Sequence, residues 1–330
     1  MNKSFIVIAY MALILFLPLN AQNVLKFNVD KKIKIVQFTD IHYISGDARS
    51  DIALENIKEV LDVEKPDIVM ITGDILFGAP ADKGLKEVLG VVSERKTPFG
   101  IMFGNHDDEH KISRKQLFDI AKEIPYNMTS TVPGITGITN YILPVLSSAS
   151  DKTAFLLYCF DSNAYSTVKG IKGYDHIHFD QIAWYREQSA LFTGENGGVP
   201  VPAVAFFHIP LPEFNYSAAD ENIVMTGTRK ERACAPDLNS GMFTAIKEMG
   251  DVMATFVGHD HDNDYAVYRQ GIMLSYGRYS GGNTVYNNLK PNGARVIEIT
   301  EGEKGFRTWI RLRGGSIIHD IKFPDFFLKD

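Results

Sequence analysis

The chain has 330 residues, 45% hydrophobic and 22% charged, with a formal net charge of −6 and two cysteines. That balance excludes a disordered, collagen-like or coiled-coil chain. A chain this long buries a sizeable core without disulfide staples, and two cysteines cannot build a disulfide framework or a Cys-rich metal site. The acidic balance argues against a basic face, so no nucleic acid partner is expected.

Residues 1–21 read as a segment apart. Lys3 precedes an apolar run over residues 5–19, and Asn20-Ala21-Gln22 follows. A basic start, an apolar centre and a small-residue exit are the parts of a secretory signal peptide, with Ala21 the last residue before the cut. A membrane anchor is the rival reading. The run is short and holds Pro18, which favours cleavage. No later stretch is apolar enough for a membrane span, so the mature chain is expected to be exported, periplasmic or secreted. Residues 22–330 are then expected to form a single domain. Cys159 lies in an apolar run, so it and Cys234 are either two free thiols or one pair.

The elements repeat one pattern, a strand followed by a polar turn. Residues 33–38 (IKIVQF) form a β-rich run before Thr39-Asp40-Ile41-His42. Ser50 is placed to cap a helix over 51–64, with Ala53, Ile57, Val60 and Leu61 on one face and Pro66 as its stop. A strand over 67–72 ends in Gly73-Asp74. A helix over 81–95 leads to a strand over 99–103, which ends in Gly104-Asn105-His106-Asp107. This β-α-β-α-β order predicts an α/β fold with a largely parallel sheet, whose ligands collect at the carboxyl ends of the strands. Residues 108–150 are less regular and read as a long surface insertion. Beyond them, a strand over 154–160 ends at Asp161, and a helix covers 179–192 with Ile182, Tyr185 and Leu191 inward. A strand over 203–207 ends in His208. A helix over 240–249 is closed by Gly250. A strand over 252–257 ends in Gly258-His259-Asp260-His261. Residues 265–268 with 271–276, and 294–300 with 306–312, read as hairpins.

The strand ends thus supply Asp40, His42, Asp74, Asn105, His106, His208, His259 and His261. Carboxylate, imidazole and amide oxygen together suit a transition metal. Asp40 and His42, like His259 and His261, stand two apart, so in an extended segment each pair faces one side. The donors are too many for one four-coordinate ion and enough for two. Two ions about 3.5–4 Å apart clamp a phosphoryl group and activate water at neutral pH.

D-x-H, G-D, G-N-H-D, a lone H after an apolar strand and G-H-x-H, in that order, resemble the calcineurin-like metallophosphoesterases. Finer matches resemble the purple-acid-phosphatase-related branch. They are Gly137-Ile138-Thr139-Asn140-Tyr141, Asp161-Ser162, Asn239-Ser240-Gly241 and the run from Gly258 to Tyr265. The resemblance implies a layered αββα sandwich with a dinuclear metal site at the strand C-terminal ends. It implies that Asp40, His42, Asp74 and His261 hold one metal, and that Asp74, Asn105, His208 and His259 hold the other. It gives His106 the job of stabilising charge and protonating the leaving oxygen, and Asp107 the job of orienting His106. The nucleophile would be a metal-bound hydroxide, the cofactors two divalent ions (Mn, Fe or Zn), and the partner a phosphorylated substrate.

A phosphomonoesterase is the first reading and a phosphodiesterase the second, since one metal centre serves both. A non-catalytic binding protein on the same scaffold is the third, and it predicts a lost ligand that the sequence does not show. His110, His176, His178 and His319 fall outside the blocks and read as surface or loop residues. Asp262 and Asp264 read as solvated loop charges. Tyr43, Arg232 and Tyr265 are candidates for substrate contact. In the purple acid phosphatases a tyrosine stands three residues after the bridging aspartate and colours the ferric ion. Here that position is Phe77, so the expected enzyme is colourless, unless Tyr43 beside His42 supplies the phenol.

Overall fold

In the computed structural model, which describes residues 24–328, two sheets stack face to face with helices outside both. The signal-peptide segment over 1–21 lies outside the described residues. The first sheet has six strands in the order β14 (Ile317–Phe323), β13 (Phe306–Leu312), β12 (Gly293–Thr300), β2 (Lys32–Phe38), β3 (Ile68–Thr72) and β4 (Phe99–Met102). The second has eight: β1 (Leu25–Lys26), β5 (Tyr141–Leu146), β6 (Thr153–Cys159), β7 (Ala203–Phe206), β9 (Val252–Val257), β11 (Ile272–Tyr276), β10 (Ala266–Arg269) and β8 (Met225–Thr226). β2, β3 and β4 are mutually parallel, as are β6, β7, β9 and β11. Both expected hairpins form, β10 with β11 and β12 with β13.

Alternation along β3 shows why the layers stack. Ile68 and Met70 face the inter-sheet core, where Leu157, Phe206 and Phe256 meet them. Val69 and Ile71 face the other way, toward α1 (Asp51–Glu64), α2 (Ala81–Ser93) and α3 (Arg114–Lys122). Successive side chains on a strand point to opposite faces, so a strand apolar on both faces needs a layer on each. The second sheet does the same with α4 (Phe179–Glu195), α5 (Glu213–Ala218) and α6 (Met242–Met249), through Ile182, Tyr185, Phe214, Phe243 and Ile246. The result is the expected αββα sandwich.

Local expectations fail in four places, one of them Leu191, which is exposed on α4 rather than turned inward. Ser50 does not cap α1 with its side chain; its Oγ accepts from Ile44 N at 2.9 Å. The stretch 108–150 is not a featureless insertion. It holds α3, opened by a Ser113/Gln116 capping box, and β5. Pro144 sits within β5 at a point where the two-residue β1 does not pair, so its missing N–H breaks no ladder bond there. β14 extends the antiparallel half of the first sheet and carries His319, which is therefore a strand residue. Cys159 is buried, Cys234 is exposed, and both are free.

Candidate dinuclear metal site

The predicted donors leave five strand ends on one side of the sandwich. Asp40 and His42 follow β2, Asp74 follows β3, Asn105 follows β4, His208 follows β7, and His259 and His261 follow β9. Asp40, His42 and His261 form one buried cluster, and Asp74, His208 and His259 another, each with donor atoms within 4.8 Å of one another. Asp74 stands at the junction: its Oδ2 is 3.2 Å from His208 Nε2 and 3.6 Å from His42 Nε2. His42 Nε2 and His261 Nε2 face each other at 2.9 Å, and His208 Nε2 and His259 Nδ1 at 3.3 Å. His106 N donates to Asp74 Oδ1 at 2.9 Å, which holds the Asn105–His106 turn against the junction. Asn105 Nδ2 donates to Tyr165 Oη at 3.3 Å, while Asn105 Oδ1 is buried without a partner.

The backbone that aims these side chains is unusual. Asp40 (φ 54°), His42 (φ 46°), Asp74 (φ 49°) and His259 (φ 83°) are all left-handed. Each such residue costs about 1–3 kcal/mol and persists where its surroundings over-determine it. Here Asp40 N donates to Gly73 O at 3.1 Å, His42 N to Asp74 O at 2.9 Å and His259 N to Asp40 Oδ1 at 3.0 Å. The turns therefore hold one another. Gly73 (φ 83°) lies under the His208 ring, which a Cβ would approach to 2.6 Å, and a Cβ on Gly104 would overlap the Asp74 carboxylate.

Burial sets the electrostatics. It holds the imidazoles of His42 and His259 well below their ordinary range, and His261 at about 4. Neutral imidazole is the form that accepts a cation. Burial raises Asp40 to about 7. His208 goes the other way: burial disfavours its charge, but Asp74 and Asp40 carry it up to about 9. Asp74 stays well below the carboxylate range despite burial, because His208, His42 and His106 surround it. His208 Nδ1 donates to Thr72 O at 2.8 Å and His261 Nδ1 to Tyr286 O at 2.9 Å. A carbonyl only accepts, so each of these rings turns an unprotonated or replaceable Nε2 inward. Four imidazoles, two carboxylates and an orphaned amide oxygen fit two divalent cations of the Mn, Fe or Zn kind.

A sequence model of the calcineurin-like phosphoesterases matches residues 33–263. The chain belongs to the calcineurin-like phosphoesterase family. A relative from Arabidopsis thaliana, "Probable inactive purple acid phosphatase 29", is 31% identical over 90% of this chain and 86% of its own. "Phosphatase DCR2" of Saccharomyces cerevisiae is 33% identical over 86% of this chain, which spans 54% of that protein. Among solved structures, a dimetal phosphatase from Danio rerio superposes with a TM-score of 0.60 at 13% identity, over 88% of this chain and 98% of that one.

In this calcineurin-like phosphoesterase, Asp107 does not orient His106. Its carboxylate is buried and accepts from Gly104 N at 2.7 Å, Ile75 N at 2.8 Å and Leu76 N at 3.0 Å. Those bonds splice the turn after β4 to the turn after β3 and tie both carboxylate oxygens to the backbone. His106 Nδ1 instead meets Glu109 Oε2 at 2.6 Å. The sequence reading missed Glu109; its only signal is the three-residue spacing from His106, which a tight turn closes.

Apart from Phe77, the rim was also missed. Phe77 packs edge-on against both His42 and His106, with ring centroids 5.2 Å apart in each case. Tyr174 meets His259 at 4.1 Å and stacks on Tyr165, and Tyr286 covers His261 at 4.4 Å. Of the three substrate-contact candidates, Tyr43 is buried in the core under α2 and Tyr265 is buried against Phe214 and Tyr276. Arg232 adjoins Glu231, which ties Tyr286 and Asp262 together.

One further expectation is corrected, while His110, His176 and His178 lie in loops as expected. Asp262 and Asp264 are not solvated. Asp262 accepts from Asn288 N and Nδ2, both at 2.5 Å, and Asp264 pairs with Arg278 at 2.6 Å. Neither touches His259 or His261. His110 lies behind Phe77 at 6.3 Å. His176 and His178 flank Asp175, at 3.2 and 2.9 Å, at the start of α4. Their rings lie parallel, 4.5 Å apart and 6° from coplanar. Parallel rings cannot both aim in-plane lone pairs at one ion, so this triad reads as two imidazoles shared by one carboxylate.

Proposed function

We propose that the chain is a phosphoester hydrolase working through two divalent cations, with phosphomonoesters as its substrates. The observation that carries this reading is the convergence of two buried donor clusters on Asp74. Such a pair of cations, when bound, supplies Lewis acidity toward phosphoryl oxygens and activates water at neutral pH. The chain's own residues do the rest. Asp40, His42 and His261 would hold one ion and Asn105, His208 and His259 the other, with Asp74 between them. His106 is not in either cluster, and its side chain is 28% exposed. With Nδ1 held by Glu109, Nε2 is free to stabilise a phosphoryl oxygen and to give a proton to the leaving oxygen.

The word "inactive" in the name of the Arabidopsis relative favours a second reading, a binding protein on the same scaffold. That reading predicts a gap among the donors. The full set of donors in this chain supports hydrolysis instead. The yeast relative's name, a phosphatase, supports monoesters over diesters. The donor set lacks thiolate and phenolate, which supports Mn²⁺, Fe²⁺ or Zn²⁺ without strong preference. The acidic composition supports a substrate other than nucleic acid, and the apolar run after Lys3 supports export. Among the described residues no helix is long and apolar enough to cross a membrane.

The test is a hydrolysis panel on purified protein with added Mn²⁺, Fe²⁺ or Zn²⁺. It compares an aryl phosphate, a bis-aryl phosphate, nucleotides and a phosphopeptide. Faster turnover of the bis-aryl ester than of the monoester would replace the monoesterase reading with a diesterase. No turnover of any substrate with any metal would leave the binding-protein reading. An exported protein whose N-terminus is not Gln22 would overturn the cleavage site.

A further inference from the structure

We propose that Glu109 is the positioning residue of His106, the place the family resemblance would give to Asp107. This rests on the hydrolase reading for its catalytic meaning, but its geometry stands alone. The His106 ring has one hydrogen-bonded nitrogen, Nδ1, 2.6 Å from Glu109 Oε2. Its ring neighbours are Phe77 at 5.2 Å and His42 at 5.5 Å. A phenyl ring offers no acceptor, so nothing on that side fixes the imidazole. Asp107 is next in sequence, but three backbone N–H groups occupy it.

Glu109 is itself held at both ends. Its backbone N donates to His106 O at 3.3 Å, which closes the turn between the two residues. Its Oε1 accepts from the Tyr165 hydroxyl at 2.8 Å. The Tyr165 oxygen in turn accepts from Asn105 Nδ2 at 3.3 Å. The bonds therefore form a loop, from Asn105 through Tyr165 and Glu109 to His106, which is joined to Asn105 by one peptide bond. An ionised carboxylate only accepts, so His106 Nδ1 carries the proton of this contact and Nε2 is the end presented to substrate. The same loop gives the Asn105 amide its orientation: with Nδ2 on Tyr165, Oδ1 is the atom left free and buried. One half-exposed tyrosine and one half-exposed glutamate thus set the ring that handles the leaving group and the amide that faces the cation.

The rival reading is an ornamental surface ion pair. Exposed pairs contribute little to stability, and the Glu109 side chain is 35% exposed. Glu109→Ala should therefore leave the melting temperature unchanged on either reading, and the readouts must be ones that folding does not move. Positioning predicts that Glu109→Ala lowers kcat about 10–100-fold on an alkyl phosphate, with KM within about two-fold. It predicts a smaller loss on an activated aryl phosphate, which needs less protonation. Glu109→Gln keeps an acceptor and should recover most of the loss. In a His106→Ala background, Glu109→Ala should have a much smaller effect, because most of its action passes through the ring.

A second arm needs no turnover. In long-range ¹H–¹⁵N spectra of chelator-treated protein, His106 should show a single Nδ1–H tautomer in the wild type and a mixture in Glu109→Ala. The proposal is overturned if the ring signals are the same in both proteins. It is equally overturned if Glu109→Ala lowers kcat by the same factor with and without His106. If the wild type hydrolyses nothing, the hydrolase reading fails, and the spectra still decide whether Glu109 sets the ring.

Discussion

The inner floor of the site and its rim are built on opposite principles. The floor is the two donor clusters, whose side chains are almost wholly buried and sit on strand ends that no other conformation would satisfy. The rim is Phe77, Glu109, Tyr165, Tyr174 and Tyr286, half-buried or exposed and carried by loops. On the floor, left-handed backbone at Asp40, His42 and Asp74 stores strain that the interlocked turns repay. On the rim, orientation comes from single side-chain hydrogen bonds, Glu109 to His106 and Glu231 to Tyr286. The floor is therefore rigid and intolerant, and the rim adjustable. Changes on the floor should remove metal and activity together, while changes on the rim should separate them.

The largest expected effect is on the floor. Asp74 approaches both His42 and His208 and also accepts from His106 N. Asp74→Ala should remove both ions and lower turnover by more than about 10³-fold, since two-metal chemistry needs both. Elemental analysis beside kinetics checks it. Near-normal metal content in the variant would break the idea that Asp74 joins the clusters.

How much of this was legible in the sequence follows the same division. Alternation in 33–38 and 67–72 marks strands apolar on both faces, and a polar residue at the end of such a strand is visible because it breaks the run. That made the six clustered side chains, and Asn105 beside them, readable as candidates. The left-handed turns that aim Asp40, His42 and His259 leave no trace in composition, because these residues carry ordinary side chains in an uncommon backbone. Ser113-x-x-Gln116, a capping box in the sequence, was a signal for α3 that the reading of 108–150 as an insertion passed over. Asp262 and Asp264 were misread because local charge density looks solvated. Their partners are remote: Asn288 for one, and Arg278 for the other. Arg295, buried with its guanidinium on Tyr276 O, Asp264 O and Thr308 Oγ1, belongs to the same polar knot beneath the turn. Asp107 shows the limit most clearly. A motif fixes that a carboxylate is there, and only the fold decides which donors reach it.

The next largest effect tests the boundary between floor and rim. His106 adjoins a donor but lies outside both clusters. His106→Ala should keep both ions and lower kcat about 10²–10⁴-fold, most severely on alkyl phosphates whose leaving oxygen needs a proton. Equal losses on alkyl and activated aryl esters would leave His106 with charge stabilisation alone.

Asp107→Ala sharpens the comparison from the structural side. The variant would strand three buried backbone N–H groups, at Gly104, Ile75 and Leu76. An unsatisfied buried donor costs about 1–3 kcal/mol, and partial relaxation should hold the sum near 3 kcal/mol. A fall in melting temperature of about 5–10 °C is expected. The His106–Glu109 contact should survive, so the leaving-group dependence of the remaining activity should match the wild type. A variant of wild-type stability with the leaving-group profile of His106→Ala would return Asp107 to the orienting role.

The smallest effect on turnover, and the most direct probe of the rim, is at Phe77. Its ring lies 5.2 Å from both His42 and His106, and it carries no oxygen. Tyr174 aside, whose ring meets His259 edge-on, the other nearby phenols are engaged or buried elsewhere. Tyr43 is buried in the core under α2, the Tyr279 hydroxyl donates to Gly282 O at 3.2 Å, the Tyr286 hydroxyl to Glu231 at 3.1 Å and the Tyr165 hydroxyl to Glu109 at 2.8 Å. The iron-loaded wild type should therefore show no visible tyrosinate-to-iron band and should tolerate exchange among Mn²⁺, Fe²⁺ and Zn²⁺. Phe77→Tyr extends the same ring by one hydroxyl, on the side of the site where His42 stands. It should gain a visible band on loading with ferric iron while keeping activity with Mn²⁺ or Zn²⁺ within about ten-fold, an order-of-magnitude expectation for a residue that neither binds nor reacts. Colour in the wild type would mean that a nearby phenol swings inward when iron binds, and single Tyr→Phe changes at Tyr43, Tyr165, Tyr174, Tyr279 and Tyr286 would show which. That result would also dissolve the division argued above, since a rim residue would have become part of the floor.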